Sequence, residues 1–228
     1  MALACYGLAC LLSGLAFWLM GRRHGLVTRE IAWLASAWLV GSVLGANLVQ
    51  QALAYGAPGS SALGGLVGGC LAVWGAKKYL GINRPTGDVF VVALLVGEMV
   101  ARWGCFFARC YYGRECLLPW AVYQHDALRH PTQIYLSLVC GFTLIVLFLV
   151  ERKRPPANTL FVVQGLIYPL LRYVVELYRE QEHLYGGLAA AQWACLAAFL
   201  YFAWQGEQLW TKTSHSWLLQ EKTPGSTI

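Results

Sequence analysis

Glu98, Arg102, Arg172 and Glu176 are ionisable residues set inside long apolar runs. Each pair is spaced i,i+4, so its two members can meet on one helix face. A charge at hydrocarbon depth costs at least about 2.5–3.5 kcal/mol on insertion scales, and such residues turn toward a partner or a wet cavity. The plain reading is two intrahelical ion pairs that neutralise each other. The depth of the residues argues for more, because Arg102, Arg172 and Glu176 lie toward the same ends of their runs. A guanidinium presents planar, paired donors that match phosphate oxygens. Two of them at headgroup depth suit a phospholipid headgroup.

The elements that must carry these groups are membrane spans. The chain has 228 residues, 58% hydrophobic and only 12% charged, and its mean hydropathy is +0.51. Soluble domains carry roughly a quarter charged residues. Apolar runs predict seven spans, at about 3–20, 31–54, 61–80, 87–107, 132–150, 157–178 and 186–205. The expected fold class is an all-α polytopic membrane protein around a lipid-accessible cavity. One seven-helix domain over 1–206 and a polar cytoplasmic tail over 207–228 are expected. The first run has no basic residue before its apolar core, with Arg22 and Arg23 after it, so it reads as a retained span rather than a signal peptide.

The formal net charge of +6 does not read as a nucleic-acid face, because Lys and Arg sit in short loops. Eleven of them, from Arg22 to Lys222, fall on one side; Arg109, Arg114, Arg129 and Arg179 fall on the other. The positive-inside rule makes the first side cytoplasmic, with the N-terminus outside and the C-terminus inside. The loop from about 108 to 131 is then external, and its Tyr111, Tyr112, Trp120 and Tyr123 suit the headgroup layer. The eight cysteines form no CxxC pair, and no metal site or cofactor is expected.

Tyr6, Gly64, Gly65 and His130 fall at the outer ends of their spans. Gly64 and Gly65 would let a lipid or a helix approach the backbone. Gly68 and Gly69 read equally well as small-residue helix packing. Gly113 permits a tight backbone turn. Gln133 and Tyr135 either line the site or tie the loop to the bundle. Glu98 is either a partner for Arg102 or part of the site.

The segment Arg102-Trp-Gly-Cys-Phe-Phe-Ala-Arg-Cys-Tyr-Tyr-Gly-Arg114, followed by His130-Pro-Thr-Gln-Ile-Tyr135, resembles the signature region of the prolipoprotein diacylglyceryl transferases. Tyr6-Gly7-Leu8 is similar to the family's tyrosine motif. Leu63-Gly64-Gly65-Leu66-Val67-Gly68 is similar to its His-Gly-Gly-Leu-x-Gly. Tyr168, Arg172 and Glu176 match residues of its late span, and Gln192 follows.

The resemblance implies a multi-pass enzyme of the bacterial inner membrane. It would move diacylglyceryl from phosphatidylglycerol to the lipobox cysteine thiol of a preprolipoprotein, releasing glycerol phosphate. Arg102 and Arg172 would stabilise the leaving phosphate, and His130 would be the candidate base. Tyr6, Gly64, Gly65, Gly113, Gln133, Tyr168 and Glu176 would contact or frame the substrate, with Glu176 orienting Arg172. The chain departs from the pattern at Leu63, where the family has histidine; at Leu136, in place of glutamate; and at Asn47, in place of arginine; the position matching a loop acid or cysteine is Cys110. The segment between the second and third spans is reduced to about Tyr55–Ser60. Two alternatives stay open: a paralogue that binds phospholipid or lipoprotein without catalysis or with altered specificity, and a small-solute transporter.

Overall fold

A computed structural model describes residues 1–53, 62–180 and 186–221. The side chain of Leu63, the Tyr55–Ser60 connection and the end of the chain after 221 lie outside the described residues. Seven helices are present among them: α1 (Ala2–Arg23), α2 (Thr28–Leu53), α3 (Ala62–Leu80), α4 (Gly87–Phe107), α5 (Thr132–Glu151), α6 (Thr159–Leu177) and α7 (Ala190–Glu221). Five of them, α1, α2, α4, α5 and α6, are long and apolar enough to cross a membrane. The protein is accordingly a polytopic membrane protein. Leu39, Val43, Leu71, Leu138 and Ile145 are exposed, as expected where the surrounding medium is lipid. α7 continues past Gly206 to Glu221, so the stretch expected as a tail is helical to that point.

The chain forms two compact units: Gly14–Val89, and Met1–Ser13 together with the chain from Phe90 onward. In the first unit α2 and α3 pack through glycines. Gly41 and Gly45 face Gly64 and Gly68, and a methyl group on Gly68 would stand 2.8 Å from the Gly45 Cα. Close backbone approach of this kind is the small-xxx-small mode of helix association in lipid. At the basic ends of these helices Arg84 pairs with Glu30 and donates to the Gly25 carbonyl, while Lys77 donates to the Arg84 carbonyl at 2.8 Å.

In the second unit the first turns of α1 lie on α4. Ser13 donates to the Ala93 carbonyl at 2.9 Å, and Gly104 is in direct contact with the Tyr6 ring. α6 packs on α5 and α7. Gly165 of α6 leaves room for Phe202, and Pro169 interrupts the helix one turn before Arg172.

Among the described residues the fold is all-helical apart from a short hairpin in the segment between α4 and α5, which was expected as a plain loop. β1 (Val122–Gln124) and β2 (Ala127–Arg129) form an antiparallel hairpin with Val122 opposite Arg129. Its two turn residues, His125 and Asp126, have φ of 50° and 61°, the primed geometry that matches strand twist. Isolated bridges extend the ladder, Glu115 to Arg129 and Gly113 to Arg179. The His125 Nε2 lies 2.6 Å from the Arg109 carbonyl, and its ring packs on Tyr112.

Candidate active site

The charged residues on α4 and α6 form one cluster, not two separate pairs. Glu98 and Arg102 are one helical turn apart on α4 and form an ion pair, with Arg102 Nε at 3.2 Å. The same Glu98 oxygen accepts Arg172 Nη1 from α6 at 3.1 Å, and its other oxygen accepts the Tyr168 hydroxyl at 2.6 Å. Arg172 Nη1 also donates to Tyr168 at 2.8 Å, and its Nη2 lies 3.6 Å from Glu176. Glu98 therefore holds both guanidiniums, as the shared acceptor of Arg102 and Arg172.

Tyr111 is a residue that the sequence reading placed in the headgroup layer. It belongs to the cluster. Its hydroxyl accepts Arg172 Nη2 at 3.0 Å and donates to Glu176. Its ring centroid lies 3.8 Å from the Arg179 guanidinium carbon and 4.7 Å from that of Arg102. Such cation–π contacts contribute about 0.5–2 kcal/mol each. Arg179, read from sequence only as an external charge, also reaches Glu176 at 3.4 Å. The cluster thus sets three guanidiniums against two carboxylates, leaving net positive charge. Glu176 is wholly buried, whereas the Arg102, Arg172 and Glu98 side chains keep 12%, 21% and 26% exposure. The arginines keep part of their surface open, and the Glu176 carboxylate is dry.

The first turn of α5 fixes the loop over this cluster. Thr132 Oγ1 donates to the Tyr111 carbonyl at 2.6 Å, and Gln133 Nε2 to the Cys110 carbonyl at 2.7 Å. Both side chains are fully buried. Gln133 thus positions the loop, although its Oε1 is buried with no hydrogen-bond partner among the described residues. His130 Nδ1 lies 3.2 Å from the Tyr135 hydroxyl, and the ring packs on Tyr178; these contacts anchor the segment before α5. A side chain on Gly113 would collide with His130 and the Tyr178 carbonyl, so its bareness serves backbone packing. Gly64 and Gly65 are taken up by α2: a methyl on Gly65 would stand 3.3 Å from the Ser42 carbonyl. Gln192 accepts the Ala189 N–H at 2.8 Å, ahead of α7.

Tyr6 lies beside the two signature cysteines. Its hydroxyl donates to Cys105 Sγ at 3.5 Å, and Cys110 Sγ points at the Cys105 carbonyl. Desolvation and the neighbouring Cys105 push the Cys110 thiol up from its ordinary value. It stays protonated near neutral pH and does not replace a carboxylate.

A family model described as prolipoprotein diacylglyceryl transferase matches residues 1–205. The chain belongs to the prolipoprotein diacylglyceryl transferase family. Relatives named phosphatidylglycerol–prolipoprotein diacylglyceryl transferase include one from Aromatoleum aromaticum, 30% identical over 84% of this chain and 85% of the relative. Another, from an Azoarcus species, is 29% identical over 84% of each chain. A third, from Campylobacter lari, is 30% identical over half of this chain, and the match spans 44% of the relative's length. Within a diacylglyceryl transferase framework, Glu98, Tyr111 and Arg179 are the parts of the cluster for which the family motifs imply no role. Glu98 alone had a signal in the sequence, its i,i+4 spacing from Arg102.

Proposed function

We propose that this chain is a phosphatidylglycerol–prolipoprotein diacylglyceryl transferase of the bacterial inner membrane, with Arg102 and Arg172 as its phosphate-binding pair. It spans the membrane seven times, N-terminus outside and C-terminus in the cytoplasm, which puts the outer ends of α4 and α6 at the external leaflet. The observation that carries the reading is the convergence of the two arginines, from separate helices, on Glu98.

The lipobox thiol attacks the glycerol carbon bonded to the phosphate oxygen of phosphatidylglycerol. A C–S bond forms, the C–O bond breaks, and glycerol phosphate leaves with one more negative charge than the diester carried. Donors fixed before the reaction stabilise charge that grows during it. Arg102 and Arg172 supply those donors, Glu98 and Glu176 hold them in place, the Tyr168 hydroxyl steadies Glu98 and Arg172, and Tyr6 offers its hydroxyl to lipid oxygens. A cysteine thiol has a pKa near 8.5 and needs only modest help to lose its proton; His130 is the candidate to receive it, and Gln133 and Gly113 shape the loop above.

The test is incubation of the purified chain with phosphatidylglycerol and a lipobox peptide, read by mass. The diacylglyceryl thioether should appear together with free glycerol phosphate, and both should be lost in Arg102→Ala and Arg172→Ala. Transfer that survives both substitutions overturns the assignment. Leu63, in place of the family's histidine, favours a second reading as a lipid-binding paralogue, which would bind phosphatidylglycerol and release no glycerol phosphate.

A further inference from the structure

Tyr111 lies within the signature segment with no role implied for it there, yet it touches every charged group of the cluster except Glu98. Its ring faces the guanidiniums of Arg102, Arg172 and Arg179, and its hydroxyl links Arg172 to Glu176. Its backbone has φ +61°, a left-handed conformation that costs energy for an aromatic residue and persists only where the surroundings enforce it. Those surroundings are the buried Thr132 and Gln133 side chains, which grip the carbonyls of Tyr111 and Cys110. A tyrosine that merely floated in the headgroup layer would need neither the strained backbone nor the two clamps.

We propose that Tyr111 is a positioning residue for the transfer reaction, setting the three guanidiniums around one phosphate. The inference rests on the phosphate-binding reading given above. Three like charges repel, and the negative face of an aromatic ring draws each of them without using their N–H groups. The ring contacts take up no N–H group, so the hydrogens that Glu98, Glu176 and the two tyrosine hydroxyls do not use, Arg102 Nη1 and Arg172 Nε among them, stay available to phosphate oxygens. The hydroxyl fixes the rotation of Arg172 by taking one Nη2 hydrogen and passing its own to the buried Glu176. Preset donors of this kind lower the barrier because they need not reorganise as the leaving group gains charge.

Two variants of the full chain separate ring from hydroxyl. With phosphatidylglycerol and a lipobox peptide, Tyr111→Phe should keep the KM for lipid within about twofold and lower kcat by about ten- to a hundredfold, the loss of one hydrogen bond to a charged group. Tyr111→Leu should also raise KM and weaken binding of glycerol phosphate, followed by calorimetry, by about tenfold. Wild-type kcat, KM and glycerol phosphate affinity in both variants overturn the proposal. So does a Leu variant that gives less folded protein but unchanged constants per folded molecule. If the wild-type chain forms no thioether, the transferase reading falls, and glycerol phosphate binding alone decides the role of Tyr111: weaker in the Leu variant upholds it, unchanged refutes it.

Discussion

The Tyr168 hydroxyl, on α6, donates to Glu98, on α4, across 2.6 Å. That bond closes a ring in which Glu98, Arg172 and Tyr168 each touch the other two. Replacing Glu98 with Gln keeps the shape but removes the charge that both arginines share. Two guanidiniums then face each other with no common counter-charge. Hydrogen bonds to charged groups contribute about 1.5–3 kcal/mol each, so Glu98→Gln should lower the melting temperature in detergent by several degrees and cut transfer at least about tenfold. A variant that melts and turns over like the wild type would mean that Glu98 is a bystander.

Arginine-to-lysine exchange should fail at both positions. Lys carries the charge as a point and cannot serve Glu98 and a phosphate with separate edges of one planar fork. Loss of one preorganised donor costs about 10²–10³ in kcat. Arg102→Lys and Arg172→Lys should recover little of what the alanine variants lose. Steady-state kinetics with phosphatidylglycerol would decide it, and near-full rescue by Lys would reduce the two residues to simple counter-charges.

Five of the helices were legible because each is an apolar run of membrane-spanning length, and the observed α4, over Gly87–Phe107, has the bounds expected from sequence. The arginine pair was legible because charge is rare at that depth. Tyr111 was not: nothing in Cys-Tyr-Tyr-Gly marks which tyrosine turns inward, since the choice is made by a left-handed backbone that Thr132 and Gln133 enforce from 21 and 23 residues away. Gly64 and Gly65 were ambiguous for the opposite reason. A glycine pair looks the same whether it admits a lipid or a neighbouring helix, and only the position of Gly45 and Ser42 on α2 shows that the space is filled.

Cys110 gives a pH-dependent signature outside the spans. Its folded-state pKa is raised, by desolvation first and by Cys105 next. The folded chain therefore holds that proton more tightly than the unfolded chain does. Its contribution to stability is complete below the free thiol's pKa and is lost as pH climbs through the raised value. Maleimide labelling of Cys110 should lag behind a free peptide cysteine at pH 7 and catch up only in alkali, because the thiolate is the reactive form. The alkaline decline in melting temperature should flatten in Cys110→Ser. Labelling as fast as the peptide at pH 7 would contradict the assignment.

Gly45 and Gly68 set the separation of α2 and α3. A methyl on Gly45 would stand 2.8 Å from the Gly68 Cα, and one on Gly68 would meet the Gly41 carbonyl and the Gly45 backbone. These neighbours are backbone, so no side chain can rotate away and the helices must part. Overpacking of a tight contact costs about 1–3 kcal/mol, and here the contact has no flexible atom to absorb it. Gly45→Val and Gly68→Val should each lower thermal stability in detergent, and the pair together should cost less than the sum, since the first already separates the helices. Gly75 is the control: a side chain there meets nothing within 4 Å. Gly75→Ala should leave stability unchanged or raise it slightly, because alanine is the better helix former. Equal losses at Gly45 and Gly75 would show that helix propensity, not backbone contact, sets the effect.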